Sequence, residues 1–171
     1  MKKKLVLGVL LLALVFSLGA VACGGSEVVN TVTPTPGPTM GGNEPPITST
    51  WLSPAKVIVG NFYPGARAEW PITIHNGNNY EAQFEISYRV PDNVQEGYAR
   101  PTVEVADWVI IVDTTPVLAA YQTKEIAVVL DMPGNAKSPG DDWEFWVSVK
   151  DKSQGGFVQT EICSRWLVNM Q

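Results

Sequence analysis

Two segments near the middle of the chain alternate apolar and polar residues so regularly that they read as half-buried β-strands. From Ala66 to His75, the residues Ala66, Ala68, Trp70, Ile72 and Ile74 share one side, and Arg67, Glu69, Thr73 and His75 share the other. From Ala82 to Val90, Phe84, Ile86, Tyr88 and Val90 oppose Gln83, Glu85, Ser87 and Arg89. A two-residue period gives each set its own face of a pleated strand, whereas a helix would scatter both sets around its axis. The intervening Asn76-Gly77-Asn78-Asn79 is a turn cluster, because Gly and Asn accept positive φ at little steric cost. The two strands are therefore expected to form either a hairpin or a pair split between two sheets.

The same pattern runs through the rest of the second half. Trp51 to Val59 reads as a first or edge strand, since Pro54 interrupts it. Thr102 to Val112 offers Val103, Val105, Trp108, Ile110 and Val112, with a change of face near Ala106-Asp107 that predicts a bulge or a break into two short strands. Asp113 to Ala120 reads as a connection. Tyr121 to Leu130, Trp143 to Val149 and Phe157 to Val168 complete a set of about seven strands separated by Gly-, Pro- and Asn-rich loops. No window carries a helical stripe. The expected class is all-β: a single antiparallel immunoglobulin-like β-sandwich over residues 48–171, following a signal peptide and a flexible linker. A partly open β-barrel remains the alternative, because periodicity does not say how the sheets close.

The first 22 residues follow a different logic. Lys2, Lys3 and Lys4 precede an apolar run from Leu5 to Phe16, and small residues follow: the basic, apolar, small order of a secretory signal. The run is shorter than the ~20 residues a spanning helix needs. Leu18 to Gly25, LGAVACGG, ends the leader with Ala20-Val21-Ala22 directly before Cys23. This stretch resembles the lipobox of bacterial lipoproteins, with Ala20 where that family usually has Leu. The resemblance implies cleavage before Cys23, acylation of its thiol, and an extracytoplasmic chain tethered to the cell membrane or envelope by lipid. Two or three acyl chains give a stable anchor where one holds only marginally.

Residues 23–47 form a second compositional zone, rich in Gly, Pro and Thr, whose Thr-Pro alternation favours extended chain. This zone reads as a stalk with nothing to pack. Removal of the leader takes three lysines and leaves nine basic against 17 acidic residues, a net charge of −8. So acidic a chain with no basic stripe argues against nucleic-acid partners.

A second resemblance rests on Pro64-Gly65-x-x-Ala68-x-x-Pro71-Ile72-Thr73-Ile74-x-Asn76, on Trp108, and on Ile126-x-Val128-x-Leu130-x-x-Pro133 followed by Trp143 to Val149. These look like the bacterial surface Ig-like modules of the cell-adhesion-related and glycosidase-associated kind. The resemblance implies a spacer, adhesion or partner-binding unit and brings no catalytic residues with it.

Candidate chemistry is sparse. His75 is the one histidine; it lacks a second ligand or nucleophile at readable spacing and reads as a strand-end residue beside a turn. No G-x-S-x-G context supports Ser-His-Asp catalysis. Asn135, Asp141, Asp142 and Glu144 lack calcium-loop spacing and read as a solvated acidic turn. Met40, Met132 and Met170 are too scattered for a copper site. Neither a metal nor another cofactor is expected. Cys163 shares a face with Glu161 and Arg165, as a partly buried thiol or as one poised for an intermolecular disulfide. Six tryptophans are many for this length. Trp70, Trp108 and Trp166 read as core, while Trp146, Trp51, Tyr80 and Tyr98 are candidates for a binding face. Trp146 reads equally well as a residue packed under a loop or against the linker.

The leading expectation is a non-catalytic, lipid-anchored module that contacts an envelope or extracellular protein in an adhesion or accessory-subunit role. A carbohydrate-binding module that stacks glycans on exposed Trp and Tyr is the alternative, and an enzyme the third class.

Overall fold

In a computed structural model of the chain, the structure describes residues 30–36, 47–136, 140–153 and 160–171. The leader, Cys23 and Met40 lie outside the described residues. The strands are β1 (Asn30–Val32), β2 (Thr35–Pro36), β3 (Trp51–Ser53), β4 (Lys56–Phe62), β5 (Ala66–His75), β6 (Ala82–Arg89), β7 (Val109–Ile111), β8 (Val117–Leu118), β9 (Thr123–Asp131), β10 (Trp143–Asp151) and β11 (Glu161–Met170). A 3₁₀ helix, Val103–Trp108, precedes β7.

The strands form two sheets. The first runs β1-β5-β9-β7, with β3 also paired to β5; the second runs β2-β4-β11-β10-β6-β8. The chain is thus an immunoglobulin-like β-sandwich. Pairing is antiparallel except for β1 with β5 and β4 with β11, which are parallel. The alternating segments that opened the sequence reading do not pair with each other. β5 pairs along its whole length with β9, and β6 pairs with β10, so the turn between them carries the chain from one sheet to the other. Asn76 fixes this crossing. It is fully buried, and its Nδ2 donates to the carbonyls of Tyr80, Leu118 and Ala119 while its Oδ1 accepts from the Asn78 amide.

The inward faces follow the period-two reading. Val57, Val59, Phe84, Ile86, Phe145, Val147, Trp166 and Val168 from one sheet meet Ala68, Ile72, Ile74, Val128 and Leu130 from the other. Phe145 is the aromatic centre, with Trp166 and Tyr88 each stacked 5.4 Å away. Each such side chain fully withdrawn from water contributes roughly 1.5–3 kcal/mol. Trp108 and Trp166 are core residues, whereas Trp70 is half-buried and packs against the core from its margin.

Three expectations are corrected. Thr102 to Val112 is not a bulged strand: a 3₁₀ helix occupies Val103–Trp108, because Val105 and Trp108, three residues apart, share one side of a three-residue turn and are both buried. The connection after Asp113 contains β8, paired to β6 through Ala82↔Leu118 and Gln83↔Val117. Part of the linker also packs. β1 lies on β5 and β2 on β4, Val32 contributes to the core margin, and Pro34 is buried. Two short β-pairings were enough to recruit a segment too polar to look foldable.

Candidate binding face on the second sheet

The outer face of the second sheet is built from the outward positions of β6, β10, β11 and β4, and their register places one row of side chains across all four strands. Trp146 on β10 is opposite Arg89 on β6 and Arg165 on β11, and Arg165 is opposite Lys56 on β4. Three cations and one indole therefore share a line perpendicular to the strands. At ~4.8 Å per strand the row spans about 14 Å.

Glu144 holds the middle of this row. It lies two residues before Trp146 on the same face and is fully buried, not in a solvated acidic turn. Its Oε1 accepts from Trp146 Nε1 at 2.6 Å and from Arg165 Nε at 2.9 Å, and its Oε2 accepts the Gln95 amide at 2.6 Å. A buried carboxylate without such partners would cost several kcal/mol, so the four groups stand or fall together. The Arg165 guanidinium carbon lies 5.9 Å from the Trp146 ring centroid, a cation–π contact that fixes one face of the indole.

The cover over Glu144 is the 91–101 loop. The Ala99 amide donates to the Asp142 carbonyl at 2.7 Å, the Glu144 amide to Ala99 O at 3.1 Å, and the Tyr98 hydroxyl to Asn169 Oδ1 at 2.7 Å. Burial first, and Asp142 second, pushes the Tyr98 hydroxyl above its usual range.

Beyond the cationic row lies a small polar row, Ser87, Ser148 and Cys163, and then Glu85, Lys150 and Glu161. Glu161 is the second hub of the face. It accepts from the Ser148 hydroxyl and from Arg89 Nη1 at 2.7 Å, with Lys150 Nζ 3.9 Å away. The Ser148 bond, then Arg89, holds its carboxyl below the ordinary value of 4.5 against the opposing effect of burial. Cys163 is half-buried beside it, and burial, then the Glu161 charge, pushes its thiol up.

The four aromatic candidates do not converge. Trp51, on β3, stacks on His75 at 5.2 Å, and Tyr80 sits on the β5–β6 turn, 44% exposed. That is the Asp151 end of the sandwich, since Asn78 of the same turn donates to Asp151. Trp146 and Tyr98 belong toward the opposite end, where Ala99 bridges to Trp143. His75 is buried. Its Nε2 donates to the Ile47 carbonyl at 2.7 Å, which leaves Nδ1 to accept from the Thr123 hydroxyl at 3.0 Å, so both ring nitrogens are engaged. Met132 is core, and Met170 accepts from the Trp143 indole at 3.2 Å. Asp142 accepts the Met170 amide, and Asn135 and Asp141 are exposed. At the Asp151 end, a cavity of about 260 Å³ is bordered by Thr48, Ser49, Thr50, Asn78, Asp151 and Thr160, over an apolar floor that includes Phe84.

No protein-family model matches the chain, and no curated protein is similar to it. Solved structures are more informative. The PapD-like domain 7 of human CEP192 superposes with a TM-score of 0.54 at 11% identity, covering 79% of this chain and 94% of its own. The chain is similar in fold to PapD-like domains. The periplasmic chaperone SfaE matches with a TM-score of 0.50 at 11% identity over 72% of this chain and 58% of its own. The Salmonella enterica SafA pilin–SafB chaperone complex matches at 0.50 and 15% identity over 72% of this chain and 55% of the matched one. The chain thus spans a little over half the length of these chaperone chains. At such identities the likeness concerns the fold alone.

Sequence reasoning identified Trp146 but missed Arg89, Arg165 and Lys56 as its neighbours. They are 57, 19 and 90 positions away in the chain, and only strand register brings them together. The one local signal was Glu144 at i−2, on the same face of an alternating strand.

Proposed function

We propose that this chain is a non-catalytic extracytoplasmic module, lipid-anchored through Cys23, that binds a protein partner on the outer face of its second sheet. The observation that carries this reading is the row Arg89–Trp146–Arg165–Lys56, held at its centre by buried Glu144. Trp and Arg are the side chains that most often dominate protein interfaces, and pre-ordering them lowers the entropic cost of binding. The leader and Cys23 support export and tethering, and the PapD-like likeness supports a domain whose faces serve as docking surfaces.

The test is photo-cross-linking in cells that make the protein, with a benzophenone side chain at Ser87, beside the row, and at Thr73, on the outer face of the first sheet. A protein adduct from position 87 and none from position 73 is expected. Adducts from position 73 alone would overturn the choice of face.

A second reading has one observation in its favour. The hydroxyl-rich cavity at the Asp151 end, with a buried carboxylate and an amide on its wall, suits a small polyhydroxylated ligand such as a sugar. The stacking version of glycan binding fits less well, since Arg165 takes one face of Trp146 and the other aromatics lie apart. Binding to a glycan array that is lost in Asp151→Asn would favour the cavity; no binding to any glycan would remove it.

A further inference from the structure

We infer that the segment recognised by this face is an extended acidic peptide, laid across the strands with its carboxylates on Lys56, Arg165 and Arg89 and its backbone over Trp146. This rests on the binding-face reading above and adds the chemistry of the partner.

The face differs in charge from the chain that carries it. The chain carries a net −5, yet the outward positions of these four strands, with Lys152 just beyond β10, hold Lys56, Arg89, Lys150, Lys152 and Arg165 against Glu85, Glu144 and Glu161. A cationic face on an acidic protein selects an anionic partner, because every other approach is repelled.

The row also keeps unspent hydrogen-bonding capacity. Glu144 takes only Nε of Arg165, and Glu161 takes Nη1 of Arg89. A guanidinium has five N–H donors, so each arginine keeps donors for a second carboxylate. Lys56 has no ion-pair partner among the described residues, and it is the row member with nothing to lose on binding. Glu144 and Glu161 hold the arginines in place without using them up.

The length of the row suits an extended peptide. The row runs about 14 Å from Arg89 to Lys56 at ~4.8 Å per strand, and an extended chain places side chains i and i+4 on one side about 13.5 Å apart. Acidic residues at i and i+4 therefore fall on Arg89 and Lys56, while i+2, about 6.7 Å along, comes down between Trp146 and Arg165, within reach of the guanidinium. The half-buried indole between the arginines supplies an apolar floor for the methylenes of the i+2 side chain.

The experiment uses the purified full-length chain in detergent and a fluorescein-labelled peptide of about nine residues alternating Glu and Thr, with a Gln-for-Glu peptide as control, its length set by the row. At low salt the Glu peptide should bind about tenfold or more tightly than the Gln peptide, and added salt should erase the difference. Lys56→Gln removes a charge that has no ion-pair partner among the described residues and should weaken the Glu peptide roughly two- to fivefold without changing thermal stability. Arg165→Gln should weaken it further, but it also strips a partner from Glu144, so Lys56→Gln is the decisive variant. Equal binding of the two peptides, or full affinity in Lys56→Gln, overturns the inference. So does inorganic polyphosphate binding more tightly than the Glu peptide, which would point to an anionic polymer. Self-association in sedimentation that Lys56→Gln abolishes would assign the face to a second copy and overturn it too. An adduct from position 87 in cells without Glu-peptide binding would leave the face standing and remove only its partner chemistry; no adduct there would remove the face.

Discussion

Trp146 Nε1 donates to Glu144 Oε1 at 2.6 Å, a bond between two residues on one face of the same strand, in which the acceptor is fully buried and the donor half-exposed. It joins a structural task to a functional one. The carboxylate that pins the indole also pins Arg165 and the Gln95 amide in the middle of the loop that covers it. The face is therefore pre-formed by the same group that closes this end of the sandwich.

Replacing Glu144 should cost stability and loosen the loop together. Glu144→Leu leaves the Trp146 and Gln95 N–H groups and Arg165 without an acceptor. A loss of about 3 kcal/mol is expected, at the low end for a broken buried pair because Arg165 is 40% exposed. Glu144→Gln keeps one acceptor and should cost about 1–2 kcal/mol. Urea unfolding midpoints measure both, and faster hydrogen exchange at the Gln95 amide reports the loop. Equal stability of Glu144→Leu and the parent would contradict the hub.

Asn76→Ala should be as damaging, although the residue touches no candidate site. Its amide serves the carbonyls of Tyr80, Leu118 and Ala119, and its carbonyl serves the Asn78 amide. Alanine takes a donor from the buried Leu118 carbonyl and from the part-buried carbonyls of Tyr80 and Ala119, and an acceptor from the Asn78 amide, at about 1–3 kcal/mol. Asn76→Asp sets a carboxylate against three carbonyl oxygens, so it should be less stable near neutral pH than in mild acid. Thermal melts across pH distinguish the two variants.

Much of this fold was legible because sandwich strands announce themselves locally. The alternation in Ala66 to His75 and Ala82 to Val90 required no knowledge of the partner strand, and the strands match those bounds to within one residue. What was not legible depends on distant pairing. Nothing near Thr31 says that it lies opposite Arg67, so a Gly/Pro/Thr-rich segment read as stalk. Val103 to Trp108 mixes spacings that suit either a bulged strand or a 3₁₀ turn, and contact with the core decided it. The same limit hid the cationic row: Trp146 could be suspected alone, but Arg89 and Lys56 become its neighbours only once register is known.

Gly77→Ala should unfold or displace the strand that follows the linker. A Cβ at Gly77 would collide with backbone atoms of Ser49 and Thr50, which cannot move aside as a side chain tip can. The Gly77 amide also donates to Thr50 Oγ1 at 3.1 Å, so the approach is held from both sides. An overpacking cost of about 1–3 kcal/mol is expected, and chemical denaturation measures it. A neutral result would mean that residues 49–50 yield freely.

The Glu161 cluster gives the sandwich an acid-sensitive component of stability. Its carboxyl is depressed below 4.5 by the Ser148 hydroxyl first and Arg89 second, and Asp113 is depressed by its bond to Lys124. A group with a depressed folded pKa contributes stability that is full above its unfolded value and is lost as pH falls through its folded value. Melting temperature should therefore hold from neutrality to about pH 5 and decline below it. Glu161→Gln should lower stability at neutral pH and flatten part of that decline. Parallel pH profiles for Glu161→Gln and the parent would show that the cluster contributes nothing.

The fold changes the geometry of the tether. With β1 beginning at Asn30, only six residues separate it from Cys23, a reach of about 24 Å fully extended at ~3.4 Å per residue. Lipid on Cys23 would thus hold the sandwich close to the membrane, not at the end of a stalk of some 24 residues. Cys23→Ser should release the protein from membranes or arrest its maturation, as fractionation and mobility on gels will show. Inserting about ten Gly/Ser residues after Gly25 should leave thermal stability unchanged, because the insertion precedes β1, yet add roughly 8 Å of average reach. Binding to a partner held at fixed height above the same membrane should then change, while binding of a free peptide in solution should not. Membrane retention of Cys23→Ser with normal processing would contradict lipid anchoring, whatever the face of the second sheet binds.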